Sequence, residues 1–122
     1  MYLLDSSVAI EMMTEGKRLD IALSFIGDEE IAISPFTAHE ILFGLSDEDE
    51  SSKKFVNGIN MINYDKACAE ESATIDKYLT KSGNKIGIFD MFIASIAIAN
   101  KMKLVTFDND FSRVKGLDVK IL

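Results

Sequence analysis

Four carboxylates, Asp5, Glu40, Asp90 and Asp108, stand far apart along this chain, and three of them end a strand-like run or open a helix. Brought together they would make a site of oxygen ligands only. Mg²⁺ and Mn²⁺ take such hard ligands and keep several of their waters. Acids crowded without a cation would repel one another, so a divalent ion at their centre is the physical resolution. Taken singly, each acid also has a structural reading. Asp5 can cap a helix that starts at Ser6, and Asp108 and Asp110 can be turn residues of Asp108-Asn109-Asp110. Glu40 lies opposite an apolar stripe of Ala38, Ile41, Leu42 and Leu45, either on a solvated face or, beside Phe36 and Phe43, on a cleft wall. Asp90 opens a helix that is apolar nearly all round, so it is an N-cap or a functional carboxylate at the edge of the core. Ala94 and Ala97 share its face; they leave room for a hydrated ion and a phosphate, or they allow close helix–sheet packing, or both.

The elements that would position these acids alternate. Short apolar runs predict strands over 2–4, 31–33, 61–64, 104–106 and 119–122. Between them, helices are expected over 6–13, 18–25, 36–45, 47–58, 65–80 and 90–101. This alternation predicts a three-layer α/β/α sandwich around a parallel sheet of about five strands. Ligands of such sheets gather beyond the carboxyl ends of the strands, where Asp5 and Asp108 fall. The acidic run Asp47-Glu48-Asp49-Glu50 after Ser46 reads as the first turn of a helix, because the alternation and glycine of a calcium-binding loop are missing.

Composition narrows the field. The 122 residues suit one domain spanning 1–122, and 48% apolar residues supply its core. A net charge of -7 argues against a protein that binds nucleic acid by neutralising phosphates, but not against a nuclease that recruits divalent cations. One cysteine excludes a disulfide framework and a cysteine-rich zinc site, and Cys68 reads as a small buried hydrophobe. No run is long enough to span a bilayer, and the start lacks a secretory pattern, so a cytoplasmic protein without a membrane partner is expected.

Four segments, in order, resemble the PIN-domain family, and within it the VapC-type toxins of prokaryotic toxin–antitoxin pairs. They are Leu3-Leu4-Asp5-Ser6-Ser7, the stretch from Ser34 to Gly44 with its Glu40-x-x-x-Gly44, the stretch from Asp90 to Ala97, and Leu104-Val105-Thr106-Phe107-Asp108-Asn109-Asp110-Phe111. The resemblance runs the whole length. Ser7 stands where asparagine is also common, Ser95 replaces a frequent alanine, and two acids compete for the last position.

The resemblance implies a PIN-like fold and an endoribonuclease that hydrolyses RNA phosphodiester bonds with Mg²⁺ or Mn²⁺. It implies Asp5 and Asp90 as principal ligands, with Glu40 and Asp108 acting through water or on a second ion. Ser6 and Thr106 would hydrogen-bond the acids or the phosphate, Asp110 would stand behind Asp108, and His39 would be a structural neighbour. The implied partners are RNA, a small antitoxin protein and a second copy of the chain.

Two other readings stay open on the residues alone. A PIN-like binding or scaffold module with weak or no catalysis would survive Asp5→Asn. An aspartyl phosphoacceptor of the doubly wound class would need a second acid near Asp5 and a late lysine after a strand, which the sequence lacks. DNA cleavage by a flap-nuclease-like site ranks below both at this length.

Overall fold

The structure is a computed structural model and describes residues 1–44 and 50–122. Along the chain come β1 (Tyr2–Leu4), α1 (Ser6–Thr14), α2 (Leu19–Ile26), β2 (Ile31–Ile33), α3 (Pro35–Gly44) and α4 (Glu50–Gly58). Then follow β3 (Asn60–Met61), α5 (Lys66–Ser82), α6 (Ile88–Ala99), β4 (Lys103–Thr106), a 3-10 turn (Asn109–Arg113) and β5 (Val119–Ile121). Leu45, three residues of the acidic run and the expected start of a helix at Asp47 lie outside the described residues.

The five strands pair in parallel in the order β3-β2-β1-β4-β5. Leu3 faces Leu104 in register and Leu4 faces Val105. Successive side chains of a strand point to opposite faces, and the core divides accordingly. Leu3, Ala32 and Leu104 join the buried residues of α5 and α6. Leu4, Ile33 and Val105 join those of α1, α2 and α3, with Phe55 and Val56 of α4 against them. This is the expected α/β/α sandwich. The order reverses between β1 and β4, since one half of the sheet grows outward from β1 through β2 and the other from β4. A crevice opens at such a reversal beyond the strands' carboxyl ends.

The third strand is shorter than the apolar run suggests. Ile62 N–H still donates to Ile33 O at 2.9 Å, but Tyr64 leaves the sheet to meet Phe36 and Phe92 edge-on. Asp65 then caps α5 by accepting from Cys68 N–H at 3.1 Å. Cys68 is fully buried. The stripe expected on α3 is also narrower: Ala38 and Ile41 are buried, whereas Leu42 is 45% exposed, because α3 also turns Thr37 into the core. Among the large apolar residues, Phe25, Phe36 and Phe55 pack against the core, and Phe43 is 83% exposed.

Candidate active site

Asp5 follows directly on β1 and is 4% exposed. It does cap α1: Oδ1 accepts from Val8 N–H at 3.2 Å. The same oxygen accepts from Ser7 Oγ at 2.6 Å, and Oδ2 accepts from Thr106 Oγ1 at 2.6 Å. Capping and a place in a wider constellation are therefore compatible roles for one side chain. A carboxylate offers roughly four lone-pair directions, and these three bonds leave one for another partner. Burial pushes the Asp5 carboxyl above its usual range, against the lowering effect of its hydrogen bonds.

Thr106, the last residue of β4 and fully buried, also accepts from Asp108 N–H at 2.9 Å. Asp108 in turn accepts from Asp110 N–H at 2.9 Å and caps the 3-10 turn. One hydroxyl thus ties the ends of β1 and β4 and the turn that follows. Ser7 makes a second tie, donating to Asp5 while accepting from Phe107 N–H at 3.1 Å. This bridging part of Ser7 is not expected from the sequence. Its only local signal is a position two residues after the capping acid.

From the next strand, α3 delivers Glu40. Ser6 Oγ donates to Glu40 Oε1 at 2.8 Å, so α3 is tied to the first residue of α1. Glu40 is half-buried and not on a purely solvated face. From the other layer, α6 delivers Asp90. The cap of that helix is Gly87, which makes no side-chain cap bond, and Asp90 sits in the first turn. The N-cap reading of Asp90 is thereby corrected. Ala94 and Ala97 are fully buried in the core, so their small size serves packing. The small neighbour of the carboxylate is Gly87, where an added Cβ would lie 3.5 Å from Asp90 Oδ2.

Asp90 reports on what surrounds it. Its carboxyl is pushed up to about 6, first by burial and then by the charges of Asp108, Asp5, Glu40 and Asp110. Among the described residues, no lysine or arginine pairs with Asp5, Glu40, Asp90 or Asp108, whereas Asp110 lies 3.5 Å from Arg113. The charges of Asp5, which follows β1, of Glu40 on α3 and of Asp108 beyond β4 thus all reach Asp90 on α6, near the reversal of the sheet. Asp110 stands behind them with its own cation. His39 is exposed and packs between rings, stacked on Phe43 and edge-on to Phe89.

The PIN domain family model matches residues 2–117. This chain belongs to the PIN-domain family. The PIN domain is 27% identical, over 95% of its length and 93% of the relative's, to the tRNA(fMet)-specific endonuclease VapC of Shigella flexneri. Its fold is similar to VapBC2 from Rickettsia felis bound to a DNA fragment from their promoter, with a TM-score of 0.83 at 23% identity, covering 98% of this chain and 97% of that one. It is also similar to DNA-bound VapBC from Salmonella typhimurium, with a TM-score of 0.82 at 21% identity, covering 98% and 96%. The chain resembles VapC-type toxins along its whole length, as its four ordered segments suggest.

The donor set of this PIN domain fits a hard divalent cation in kind, since it is carboxylate and hydroxyl oxygen alone. Among the described residues, no three acids are drawn close enough to clasp one ion directly. Asp5 has most of its lone pairs engaged. An ion held here would therefore have to be bound partly through its own waters.

Proposed function

We propose that this PIN domain is an endoribonuclease dependent on Mg²⁺ or Mn²⁺, acting in the cytoplasm as the toxin of a toxin–antitoxin pair. The observation that carries the reading is the convergence on Asp90 of the charges of three further acids that have no cationic partner among the described residues, at the carboxyl edge of the sheet. The likeness to an endonuclease over nearly the full length of both chains supports the same class of reaction. A divalent ion bound there would polarise the scissile phosphodiester and lower the pKa of a water near it. Asp5 and Asp90 would hold that ion, with Glu40 and Asp108 acting through water. Thr106 and Ser7 keep Asp5 in one rotamer, Ser6 steadies Glu40, and Thr106 positions the backbone that carries Asp108. Positioning of this kind removes orientational freedom before the reaction begins.

A partner reading goes with it. Ile10 of α1 and Ile21 and Leu23 of α2 are 36%, 52% and 46% exposed. Apolar residues on adjacent helices suit an amphipathic segment of a small antitoxin, and a homodimer would cover further apolar surface. The test is direct. Purified protein incubated with RNA should cut it when Mg²⁺ or Mn²⁺ is present and stop on addition of EDTA. Intact RNA under all divalent ions, with a folded protein, would refute the reading.

A further inference from the structure

A series of contacting rings meets the acidic edge at Phe89. Phe36 contacts Tyr64, Phe92 and Phe89 at centroid distances of 5.7, 5.1 and 5.3 Å. His39 continues the series, edge-on to Phe89 at 5.5 Å, and Phe43 lies parallel to His39, 5° between the planes and 6.0 Å between the centroids. The series runs from the core to solvent and ends in Phe43, 83% exposed. Its members alternate in sequence with the acids, His39 next to Glu40 and Phe89 next to Asp90. Glu40, Gly87, Ile88, Phe89 and Asp90 line one shallow depression, in which Ile88 is 62% exposed. Glu40 and Asp90 therefore share one hollow with Ile88 and Phe89, and His39 and Phe43 extend the aromatic surface from Phe89 beyond it.

A net charge of -7 leaves the chain little attraction for a polyanion. Single-stranded nucleic acid has a second handle, since every base offers a face that stacks on aromatic side chains whatever the sequence. We infer that the wall formed by Ile88, Phe89, His39 and Phe43 is a base-stacking subsite, which receives the unpaired nucleobase next to the phosphodiester held at the acidic edge. The inference rests on the ribonuclease reading above and adds to it that the substrate is cut where a base is splayed from its stack. Phe43 and His39 are positioning residues in this scheme, because they touch the base and not the reacting phosphate.

The test uses a single-stranded oligoribonucleotide that the protein cleaves, together with versions carrying an abasic residue on either side of the cleaved bond. In wild type, one abasic position should raise KM by about 5- to 150-fold, the range expected for loss of one stacked base. Phe43→Ala should raise KM for the intact oligonucleotide, with the effect on KM and not on kcat, and should add little on the abasic one, since the partner is already gone. Phe43→Trp should restore binding. Equal KM values for intact and abasic substrates in wild type would overturn the proposal while leaving the ribonuclease reading standing. Phe43→Ala that turns a dimer into a monomer in light scattering, with abasic discrimination unchanged, would assign the wall to a contact between copies and also overturn it. Absence of any cleavage by wild type would remove the ribonuclease reading and the subsite with it.

Discussion

Thr106 is a buried hydroxyl used twice, donating to Asp5 Oδ2 and accepting from Asp108 N–H. Thr106→Val keeps the volume but strips both partners. Leaving a buried donor or acceptor unsatisfied costs about 1–3 kcal/mol, so the melting temperature should fall by several degrees in a thermal scan. Activity should fall with it, because Asp5 loses one of its anchors, and Thr106→Ser should recover most of both. A Thr106→Val protein with wild-type stability would show that these hydrogen bonds carry no net weight. At this scale the acids were legible because carboxylates at strand ends and helix starts stand out in sequence. The ties between them were only half legible. Ser6 and Thr106 were expected near the acids, but nothing in the sequence says that Ser7 bridges Asp5 to Phe107 N–H, a contact between residues a hundred positions apart.

The elements do the gathering. β1 and β4 lie side by side at the reversal of the sheet, so the acids that follow them share one edge, and α3 and α6 reach it from opposite layers. The alternation of short apolar runs with helical stretches predicted this arrangement: β1 and β2 have the expected ends, and the other expected helices and strands in the described residues are present with one or both ends shifted. Ends were harder for a physical reason. Tyr64 reads as strand by type, yet its ring gains more against Phe36 and Phe92, and Asp65 offers the chain a helix cap. Asp90 reads as the start of its helix, yet Ile88 and Phe89 already belong to the first turn. The helix α6 is anchored by residues such as Ile96, fully buried between layers. Ile96→Ala should cost about 2–5 kcal/mol. Its urea midpoint should drop accordingly, while the remaining folded protein keeps Asp90 in place and its turnover per folded molecule. An unchanged midpoint would contradict the packing described for α6.

Charge acts on the molecule as a whole. The folded chain holds Asp90 near 6 and Asp5 above its usual range, whereas in the unfolded chain both ionise near 4. Folding therefore tightens proton binding. Without divalent ions, stability should be fullest below about pH 4 with respect to these groups and should decline as pH climbs through 6, the value of Asp90. Denaturant titrations across that window should show the decline in wild type and a shallower one in Asp90→Asn, which has no charge to expel. A wild type that gains stability over the same window, with Asp90→Asn following it, would argue that the acids do not repel. A divalent ion works in the opposite sense, since it binds the folded, ionised cluster. At ~100 times its dissociation constant it adds about 2.7 kcal/mol by mass action. Mg²⁺ or Mn²⁺ should thus raise the melting temperature of wild type at neutral pH, and should leave the double variant Asp5→Asn with Asp90→Asn unmoved. Equal rises in both would place the ions elsewhere.

The central claim is that four acids at one sheet edge make a metal-dependent ribonuclease site. It is tested most directly by single-turnover RNA cleavage in Mg²⁺ or Mn²⁺, comparing wild type with Asp90→Asn of verified fold. The account predicts that the substitution, which removes one charge at nearly constant volume, lowers the rate by about 100-fold or more. Cleavage by Asp90→Asn at the wild-type rate would contradict it.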